Sequence, residues 1–295
     1  MKHSFKDWFG ATRFWSFPVS AMPVVATAVF LAWKGYDVKW LLALAALVGN
    51  VVFHAAGNVL SDYFDYKKGV DNERAYAVPN LVFHHFEPGE YLRFSSILFA
   101  AGAVIGIILA LLTSWKLLVI GCIGVVLAMS YAFFKYHAMG DIFVFTCFGV
   151  LPLLGTSLVA AGAIDWSVLT LSLPLGILTV AVLHDNNTVD IKTDRESGIS
   201  TFPMLIGERA SAKLYLAYMV LPYIFIAVAS VAGLLPYASL LCLISAPVAF
   251  GNAKAAYGYF SKGREALLGL DQKTAKLHLI FSALLSMGIV LAVIF

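Results

Sequence analysis

Charged residues are scarce in this chain. Asp, Glu, Lys and Arg together make up 13% of its 295 residues, whereas 61% are hydrophobic. A soluble domain has about 25% charged residues and a near balance of apolar and polar residues. The mean hydropathy is +0.86. This composition excludes a soluble globular protein and indicates an integral membrane protein that contacts the lipid bilayer.

Cysteine is also rare, and basic residues are not clustered. Cys122, Cys147 and Cys242 lie singly inside apolar runs, with no paired spacing. This pattern is typical of small buried hydrophobic residues and argues against disulfides or a cysteine metal site. The 20 Lys and Arg residues are scattered and form no basic stripe. Nothing in the sequence therefore indicates a nucleic-acid partner.

Long runs without charge locate the membrane spans. They lie at 17–33, 40–61, 94–115, 117–134, 142–164, 166–184, 214–253 and 277–295. Seven of them are close to the roughly 20 residues that an α-helix needs to cross the hydrocarbon core. The run 214–253 is about twice as long, and Pro236 near its middle disfavours one continuous helix. The sequence therefore predicts an all-α protein with nine transmembrane helices that enclose a cavity open to the cytoplasmic side.

Positive charge is distributed unequally between the two membrane sides. If the N-terminus is cytoplasmic, 17 of the 20 Lys and Arg residues fall on the inner side, and only Lys34, Lys39 and Lys116 fall outside. This bias follows the positive-inside rule. All carboxylates except Asp37 and Asp165 also lie on the inner side. We therefore expect a cytoplasmic active site and a C-terminus outside.

Carboxylates are concentrated in two polar stretches that each follow an apolar run. Their aspartates are Asp62, Asp65 and Asp71 in 58–71 and Asp185, Asp190 and Asp194 in 185–198. The interval from Asp62 to Asp190 is 128 positions. The interval from Asp65 to Asp194 is 129 positions. This agreement predicts two related halves, about 1–140 and 141–295, within a single domain.

Helical spacing places the polar side chains of each stretch on one face. The two sets are Asn58, Asp62 and Asp65, at i, i+4 and i+7, and Asn186, Asp190 and Asp194, at i, i+4 and i+8. Carboxylates on one face repel each other unless a cation lies among them. Mg²⁺ is commonly shared between carboxylates and substrate phosphates. The alternative is that these are solvated residues at helix ends, but their matching positions in two halves favour a site for Mg²⁺ and a diphosphate.

Neighbouring residues indicate that the diphosphate belongs to a lipid. Lys67, Lys68, Lys192 and Arg195 are candidates to balance its charge, and the adjoining apolar helices suit a polyprenyl tail in the bilayer. Aromatic side chains near the motifs are candidates to stabilise an allylic cation, although most aromatics in such a protein contribute to packing. They are Tyr63, Phe64, Tyr66, Tyr131, Phe133, Phe134, Phe143 and Phe145.

These two stretches carry a family resemblance. The sequence resembles the UbiA superfamily of membrane prenyltransferases, which has nine helices and two aspartate-rich motifs. Within it, 62–71 and 186–198 are most similar to 1,4-dihydroxy-2-naphthoate polyprenyltransferases of menaquinone synthesis. The segment 136–144 resembles a third family segment, in which Glu usually stands at the position of Asp141. The resemblance covers nearly the whole chain.

The resemblance implies an activity and residue roles. It implies Mg²⁺-dependent transfer of a polyprenyl group from polyprenyl diphosphate to an aromatic acid; with the naphthoate, the carboxylate is lost as CO₂ and demethylmenaquinone results. Metal and diphosphate would be held by Asp62, Asp65, Asp190 and Asp194, with support from Asn58 and Asn187. Lys67, Lys192 and Arg195 would stabilise the leaving group, Asp71 would orient the acceptor or remove its proton, and Tyr63, Tyr131 and Arg74 would contact substrate. The expected location is the bacterial inner membrane.

The chain also departs from the family pattern. Ser61 replaces a usual Asn, Ile199 replaces a common Lys, and Leu205 stands where close relatives often have Arg. The candidates to replace the missing cations are Arg74, His84 and His85. For His54 and His184, which lie near the motifs, we expect structural hydrogen bonding.

Three functional hypotheses therefore remain open at this point. Besides the naphthoate enzyme, the chain fits a prenyltransferase with another acceptor, such as hydroxybenzoate, homogentisate or a lipid. It also fits a membrane protein that binds or transports lipid diphosphates without catalysis. The acids of the two halves lie on one side and the spans are nearly free of charge, which disfavours a transporter. The sequence carries no signal for oligomeric state.

Overall fold

The computed structural model describes residues 3–71 and 80–295, and in these ranges the regular secondary structure is helical. The α-helices are α1 (Phe5–Ala11), α2 (Pro18–Trp33), α3 (Trp40–Lys68), α4 (Pro88–Leu112), α5 (Lys116–Lys135), α6 (Gly140–Val144), α7 (Leu151–Ala161), α8 (Ser172–Val189), α9 (Ile191–Glu196), α10 (Phe202–Ile206), α11 (Glu208–Val231), α12 (Ala246–Tyr257), α13 (Tyr259–Lys262) and α14 (Leu270–Ile294). Short 3₁₀ segments at Phe14–Ser16, Trp166–Leu171, Tyr237–Ser245 and Gly263–Leu267 and a π segment at Phe145–Val150 extend or join them.

Within the described ranges, nine stretches are long and apolar enough to cross a membrane. They are Phe14–Trp33, Trp40–Lys68, Pro88–Leu112, Lys116–Lys135, Gly140–Ala161, Trp166–Val189, Glu208–Val231, Tyr237–Leu267 and Leu270–Ile294. The prediction of an all-α protein with nine transmembrane helices is confirmed. The long run 214–253 is divided as expected, because α11 ends at Val231 and Pro236 caps the following 3₁₀ segment.

The first aspartate motif is helical almost to its end. α3 continues seven residues past the apolar run 40–61 and ends where Gly69 adopts a positive φ of 73°. Glycine is favoured at this position because it takes the left-handed conformation without a Cβ clash. Asp62 and Asp65 therefore lie on a helix, whereas Asp71 lies in the segment that follows it.

The second motif is not one continuous helix. α8 ends at Val189, Asp190 has a φ of −95° and ψ of 10°, and α9 begins at Ile191. The expected single stripe through Asn186, Asp190 and Asp194 is therefore interrupted at its middle residue. The amide of Asp194 still donates to the carbonyl of Asp190 at 2.8 Å, so the chain continues as a short helix after the break.

The main hydrophobic core lies among α2, α7, α8, α11, α12 and α14. Large fully buried side chains there include Phe30, Leu175, Met219 and Phe281. α5 is different, because it buries only Ala132 and exposes apolar side chains such as Val126. An apolar exposed surface of this kind suits contact with lipid tails.

A close backbone contact fixes the position of the helix that carries the second motif. A Cβ on Gly149 would lie 2.9 Å from the Cα of Gly176, and a Cβ on Gly176 would lie 2.5 Å from the ring of Phe145. These distances are shorter than real Cβ contacts, so both positions require glycine. The π segment Phe145–Val150, which carries Gly149, therefore packs directly against α8.

Hydrogen bonds join the C-terminal ends of the two motifs. Ser197 Oγ donates to the carbonyl of Gly69 at 2.9 Å. The amide of Ala138 donates to the carbonyl of Ser200 at 2.7 Å. The amide of Ser200 donates to the carbonyl of Tyr136 at 3.0 Å. These bonds hold the ends of α3, α5 and α9 together on one side of the bundle, which we call the motif side.

Candidate active site

A cavity of about 740 Å³ lies between the N-terminal segment, α3, α4, α5, α7 and α8. Most of its wall is apolar, with residues such as Ile105, Val125 and Leu151. Its polar end lies on the motif side and is lined by Ser61, Asp65, Asp71, Tyr131, Lys135, Asn186, Asn187, Asp190 and Asp194. The cavity therefore combines a carboxylate-rich end with an apolar remainder.

Asp65 of the first motif accepts hydrogen bonds from three described side chains. Lys135 Nζ donates to its Oδ2 at 2.8 Å and Tyr136 OH donates to its Oδ1 at 2.7 Å. Ser61 Oγ donates to Oδ2 at 3.4 Å. Burial, and next the charge of Asp65, raise the pKa of the Tyr136 hydroxyl, so it remains a donor. Lys135 is one of the 17 basic residues predicted on the inner side, but its spacing from the motif gave no sign of this contact.

Asp62 has a different partner from Asp65, although both were expected on one stripe. Arg13 Nη2 donates to Asp62 Oδ1 at 2.5 Å, and Asp62 is not among the residues that line the cavity. Arg13 itself lines the cavity and has a left-handed backbone, with a φ of 53°. Asp62, the largest influence, raises the pKa of Arg13 above its usual value. Asp62 thus fixes a cation at the edge of the cavity.

Among the described residues, no hydrogen-bond partner contacts the buried Oδ2 of Asp71 or of Asp194. Burial, together with the negative charges of Asp65 and Asp62, raises the pKa of Asp71 to about 8. Burial also raises the pKa of Asp194 to about 7, with Asp190 and Asp65 adding to the shift and Lys135 opposing it. Carboxylates from both motifs therefore interact electrostatically in one region.

Asp190 forms an ion pair with Arg264, a contact that the sequence did not predict. Arg264 Nη2 donates to Asp190 Oδ1 at 3.1 Å, and Thr193 Oγ1 lies 3.4 Å from the same oxygen. Arg264 belongs to the 3₁₀ segment Gly263–Leu267, 74 positions away in the chain. No spacing rule connects such distant positions, which is why the sequence did not reveal this contact.

The remaining predicted residues separate into two groups. Asn58, Asn187 and Tyr131 line the cavity, and the Asn58 amide donates to the carbonyl of Thr12 at 2.9 Å and to Ser16 Oγ at 3.2 Å. The side chains that do not line it are Tyr63, Lys67, Lys192 and Arg195. The structure thus does not bring the three predicted leaving-group cations to the cavity. Arg74 lies outside the described residues.

Lys67 and Arg195 lie outside the cavity, near the surface of the protein. Lys67 is exposed, with its Nζ 5.4 Å from the centre of the Tyr63 ring. Arg195 lines a separate groove of about 530 Å³ together with Arg209 and Lys213. Both positions place their positive charge at the surface of the motif side.

Positions that depart from the family pattern also have defined places. Ser61 lines the cavity and contacts Asp65, Ile199 is buried, and Leu205 is 68% exposed. His84 and His85 are exposed and do not line the cavity. Among the described residues, the cations that contact these carboxylates are Arg13, Lys135 and Arg264. They carry the positive charge that was expected from Lys67, Lys192 and Arg195.

His184 has the structural role that was expected of it. Its Nδ1 lies 3.2 Å from Asp141 Oδ2 and its Nε2 lies 3.3 Å from the carbonyl of Ser211. The ring therefore connects α8 to α6 and α11. Asp141, which stands in the third family segment, contributes to this connection.

The donor set fits a divalent cation that is shared with a phosphate ligand. In the described part of the chain, no three His, Cys, Asp or Glu side chains form a ready-made metal cage. The buried unpartnered oxygens of Asp71 and Asp194 instead leave room for additional positive charge beside Asp65 and Asp190. Mg²⁺ typically uses one or two carboxylates and completes its shell with water and substrate phosphate.

The chain matches a known protein family. Residues 21–268 match the model of the UbiA prenyltransferase family. The chain belongs to the UbiA prenyltransferase family. It is 32% identical to UbiA prenyltransferase domain-containing protein 1 of Homo sapiens, over 96% of this chain and 82% of that protein. The corresponding protein of Rattus norvegicus is 33% identical over the same 96% of this chain and 82% of its own length.

Solved UbiA structures share the fold. A UbiA homologue from Aeropyrum pernix superposes with a TM-score of 0.71 at 19% identity, covering 93% of this chain and 97% of that chain. A homologue from Archaeoglobus fulgidus, bound to DMAPP and Mg²⁺, superposes with a TM-score of 0.59 at 12% identity, covering 95% and 99%. As a UbiA family member, the protein is an integral membrane prenyltransferase of the class that transfers alkyl or aryl groups other than methyl.

Proposed function

We propose that the protein transfers a polyprenyl group from polyprenyl diphosphate to a ring carbon of an aromatic acceptor, with Mg²⁺ as the cofactor. The observation that carries this proposal is the single cavity in which Asp65 and Asp71 of the first motif meet Asp190 and Asp194 of the second. The carboxylate-rich end suits a metal-bound diphosphate, and the apolar remainder suits a hydrocarbon chain. The solved homologue from Archaeoglobus fulgidus with DMAPP and Mg²⁺ supports the same class of donor.

The carboxylates would bind the cation and the diphosphate together. Asp65, Asp190 and Asp194 face the cavity and are the proposed metal-binding set, with Asn58 and Asn187 as supporting amides. Asp62 adds negative charge behind them and holds Arg13 in place. Mg²⁺, when bound, would neutralise negative charge on the diphosphate and so lower the barrier to departure of the diphosphate.

Three protein cations would stabilise the departing diphosphate. Lys135 and Arg13 line the cavity, and Arg264 contacts it through Asp190. Fixed cations placed where negative charge develops stabilise a transition state without reorganising. Tyr131, on the cavity wall beside Phe143, would face the allylic cation. Its aromatic face attracts positive charge.

The acceptor then attacks the allylic carbon, and Asp71 is the proposed residue for orienting it or receiving its ring proton. The motif resemblance places 1,4-dihydroxy-2-naphthoate first among acceptors, with hydroxybenzoate and homogentisate as alternatives. The curated relatives are named for a UbiA domain and not for a naphthoate reaction. The acceptor is therefore the part of the proposal that requires a direct test.

A panel assay tests both the reaction and the acceptor. Purified protein in nanodiscs is given one long-chain prenyl diphosphate, with or without Mg²⁺, and each of three acceptors or none. Prenylated product that requires Mg²⁺ and an aromatic acceptor is the expected result. Diphosphate binding without product for every acceptor would instead identify a non-catalytic lipid-diphosphate protein.

The proposed location is the inner side of a cell membrane. The distribution of Lys and Arg supports a cytoplasmic motif side and N-terminus, by the positive-inside rule. Lipid diphosphate substrates with their charged groups at that surface would keep their tails in the bilayer.

A further inference from the structure

A polar stripe follows one wall of the otherwise apolar cavity. Asn50, His54 and Asn58 recur every fourth residue on α3, so they lie on one helix face, and all three line the cavity. Ser16 and Ser20 of the preceding segment contact this face. The stripe extends from the motif side towards the middle of the bundle. The proposed donor chemistry uses only its Asn58 end.

The hydrogen bonds of the two serines favour one tautomer of His54. Ser20 Oγ donates its one hydrogen to the carbonyl of Phe17 at 3.0 Å, so it accepts from His54 Nδ1, which lies 2.9 Å away. A neutral imidazole carries one N–H. His54 has hydroxyl groups as its hydrogen-bond partners and no carboxylate, which suits the neutral form in a buried position. The hydrogen is therefore on Nδ1 and the lone pair is on Nε2.

Among the described residues, the contact that Nε2 of His54 makes is a long one. Ser16 Oγ is 3.4 Å away, and its hydrogen is already donated to the carbonyl of Arg13 at 2.8 Å. Ser16 Oγ also accepts from the Asn58 amide at 3.2 Å. A buried acceptor of this kind normally has a partner. Because His54 lines the cavity and is only 8% exposed, a donor in the cavity, from a water or a bound ligand, can reach Nε2.

We propose that Nε2 of His54 accepts a hydrogen bond from a ring hydroxyl of the acceptor and so orients the aromatic ring in the cavity. This proposal rests on the proposed function, because only that function identifies the ligand in the cavity as the prenyl acceptor. A quinone or an aryl ether offers no hydrogen at this position and is a poorer ligand. Withdrawal of the hydroxyl proton towards the imidazole also increases electron density on the ring, which favours attack of a ring carbon on an allylic carbon.

The position of His54 suits this role. Asp65 is eleven residues further along α3, and a rise of 1.5 Å per residue separates the two by about 16 Å along the helix axis. This interval leaves space for a diphosphate, the reacting carbon and an aromatic ring in sequence. The ring of Phe148 also lines the cavity, with its centre 4.7 Å from that of His54, and supplies a flat wall beside the site.

Equilibrium dialysis with nanodisc-embedded full-length protein tests the proposal without turnover. The probes are 1-naphthol and 1-methoxynaphthalene, and empty nanodiscs give the blank. We expect the wild type to bind 1-naphthol about 3- to 10-fold more tightly than the ether, the usual contribution of one hydrogen bond. His54→Leu should abolish this preference, and His54→Gln, whose carbonyl can accept, should retain part of it.

The matched control is His278→Gln. His278 is a buried histidine on α14 that contacts Thr179 and Ser282 and does not line the cavity, so its replacement should leave the naphthol preference unchanged. A preference that persists in His54→Leu overturns the proposal. Should that variant fail to fold, equal binding of the two probes by the wild type or by folded His54→Gln overturns it as well.

The outcome is separate from the test of prenyl transfer. A naphthol preference that depends on His54 in a protein without transfer activity would reject the proposed reaction but keep the binding site. Transfer activity in a protein without the preference would keep the reaction and reject the role of His54.

Discussion

At the scale of single residues, the site consists of carboxylates that are each associated with a particular cation. Asp62 contacts Arg13, Asp65 contacts Lys135 and Asp190 contacts Arg264. Each pair joins segments that are distant in the chain. Mutual repulsion among the acids is thereby reduced, while the same cations are placed beside the proposed diphosphate.

Lys135 is the cation for which we expect the largest effect on catalysis. Lys135→Met removes the positive charge from Asp65 and from the cavity, so turnover should fall by about 100-fold or more, the size of effect seen when one electrostatic donor is lost. Diphosphate release measures it. Lys116→Met, at the start of α5 and remote from the motifs, is the control and should remain active. Wild-type turnover in Lys135→Met would remove this residue from the mechanism.

Arg264 tests a contact that only the structure revealed. Arg264→Gln cannot balance the charge of Asp190, so we expect the KM for prenyl diphosphate to rise about 10-fold while Arg264→Lys restores part of the affinity. Initial rates over a range of donor concentrations give both constants. The control is Lys262→Gln, an exposed residue two positions away. Equal effects of Arg264→Gln and Lys262→Gln on KM would indicate a general surface charge effect.

Sequence reasoning located the acids of the site but not their partners. Helical spacing identified Asp62 and Asp65 correctly as near neighbours, yet one contacts Arg13 and the other faces the cavity. The helical repeat determines which side chains of one helix are close to each other. The neighbouring helices and segments determine which residues each of those side chains contacts. Their assignment to metal and substrate remains a prediction.

At the scale of helices, the number of spans could be predicted because length and apolar composition are local properties. The break at Asp190 could not, since a polar helix end has no apolar period that would mark it. The exposed positions of Lys67 and Arg195 also depend on the ends of α3 and α9, and helix ends are the least certain feature of a sequence pattern.

The contact of α8 with the π segment Phe145–Val150 gives a prediction at this scale. Gly176→Ala places a Cβ 2.5 Å from the Phe145 ring, and overpacking of this kind costs about 1–3 kcal/mol. We expect a fall of several degrees in Tm by fluorescence-detected unfolding, with partial recovery in the double variant Gly176→Ala/Phe145→Leu. Gly251→Ala on α12, where the new Cβ has open space, should not lower Tm. An unchanged Tm for Gly176→Ala would show that α8 moves freely against this segment.

At the scale of the whole molecule, the odd number of candidate spans predicts that the two termini lie on opposite membrane sides. Nine spans in the described residues and the excess of Lys and Arg on the motif side predict an N-terminus inside and a C-terminus outside. Reporter fusions at each terminus measure this: a C-terminal alkaline phosphatase should be active and a C-terminal green fluorescent protein dark in bacterial cells. The reverse pattern would contradict the orientation. The two-halves interpretation stays a prediction.

The fold brings two acidic motifs to one cavity, and the most direct test asks whether both are needed at once. Asp65→Asn and Asp194→Asn are compared with wild type for Mg²⁺-dependent release of diphosphate and formation of prenylated product, with Asp37→Asn on the opposite side as control. We predict that each motif variant is folded and loses at least about 100-fold in rate at every Mg²⁺ concentration, whereas Asp37→Asn is active. Wild-type rates in either Asp65→Asn or Asp194→Asn would contradict the account.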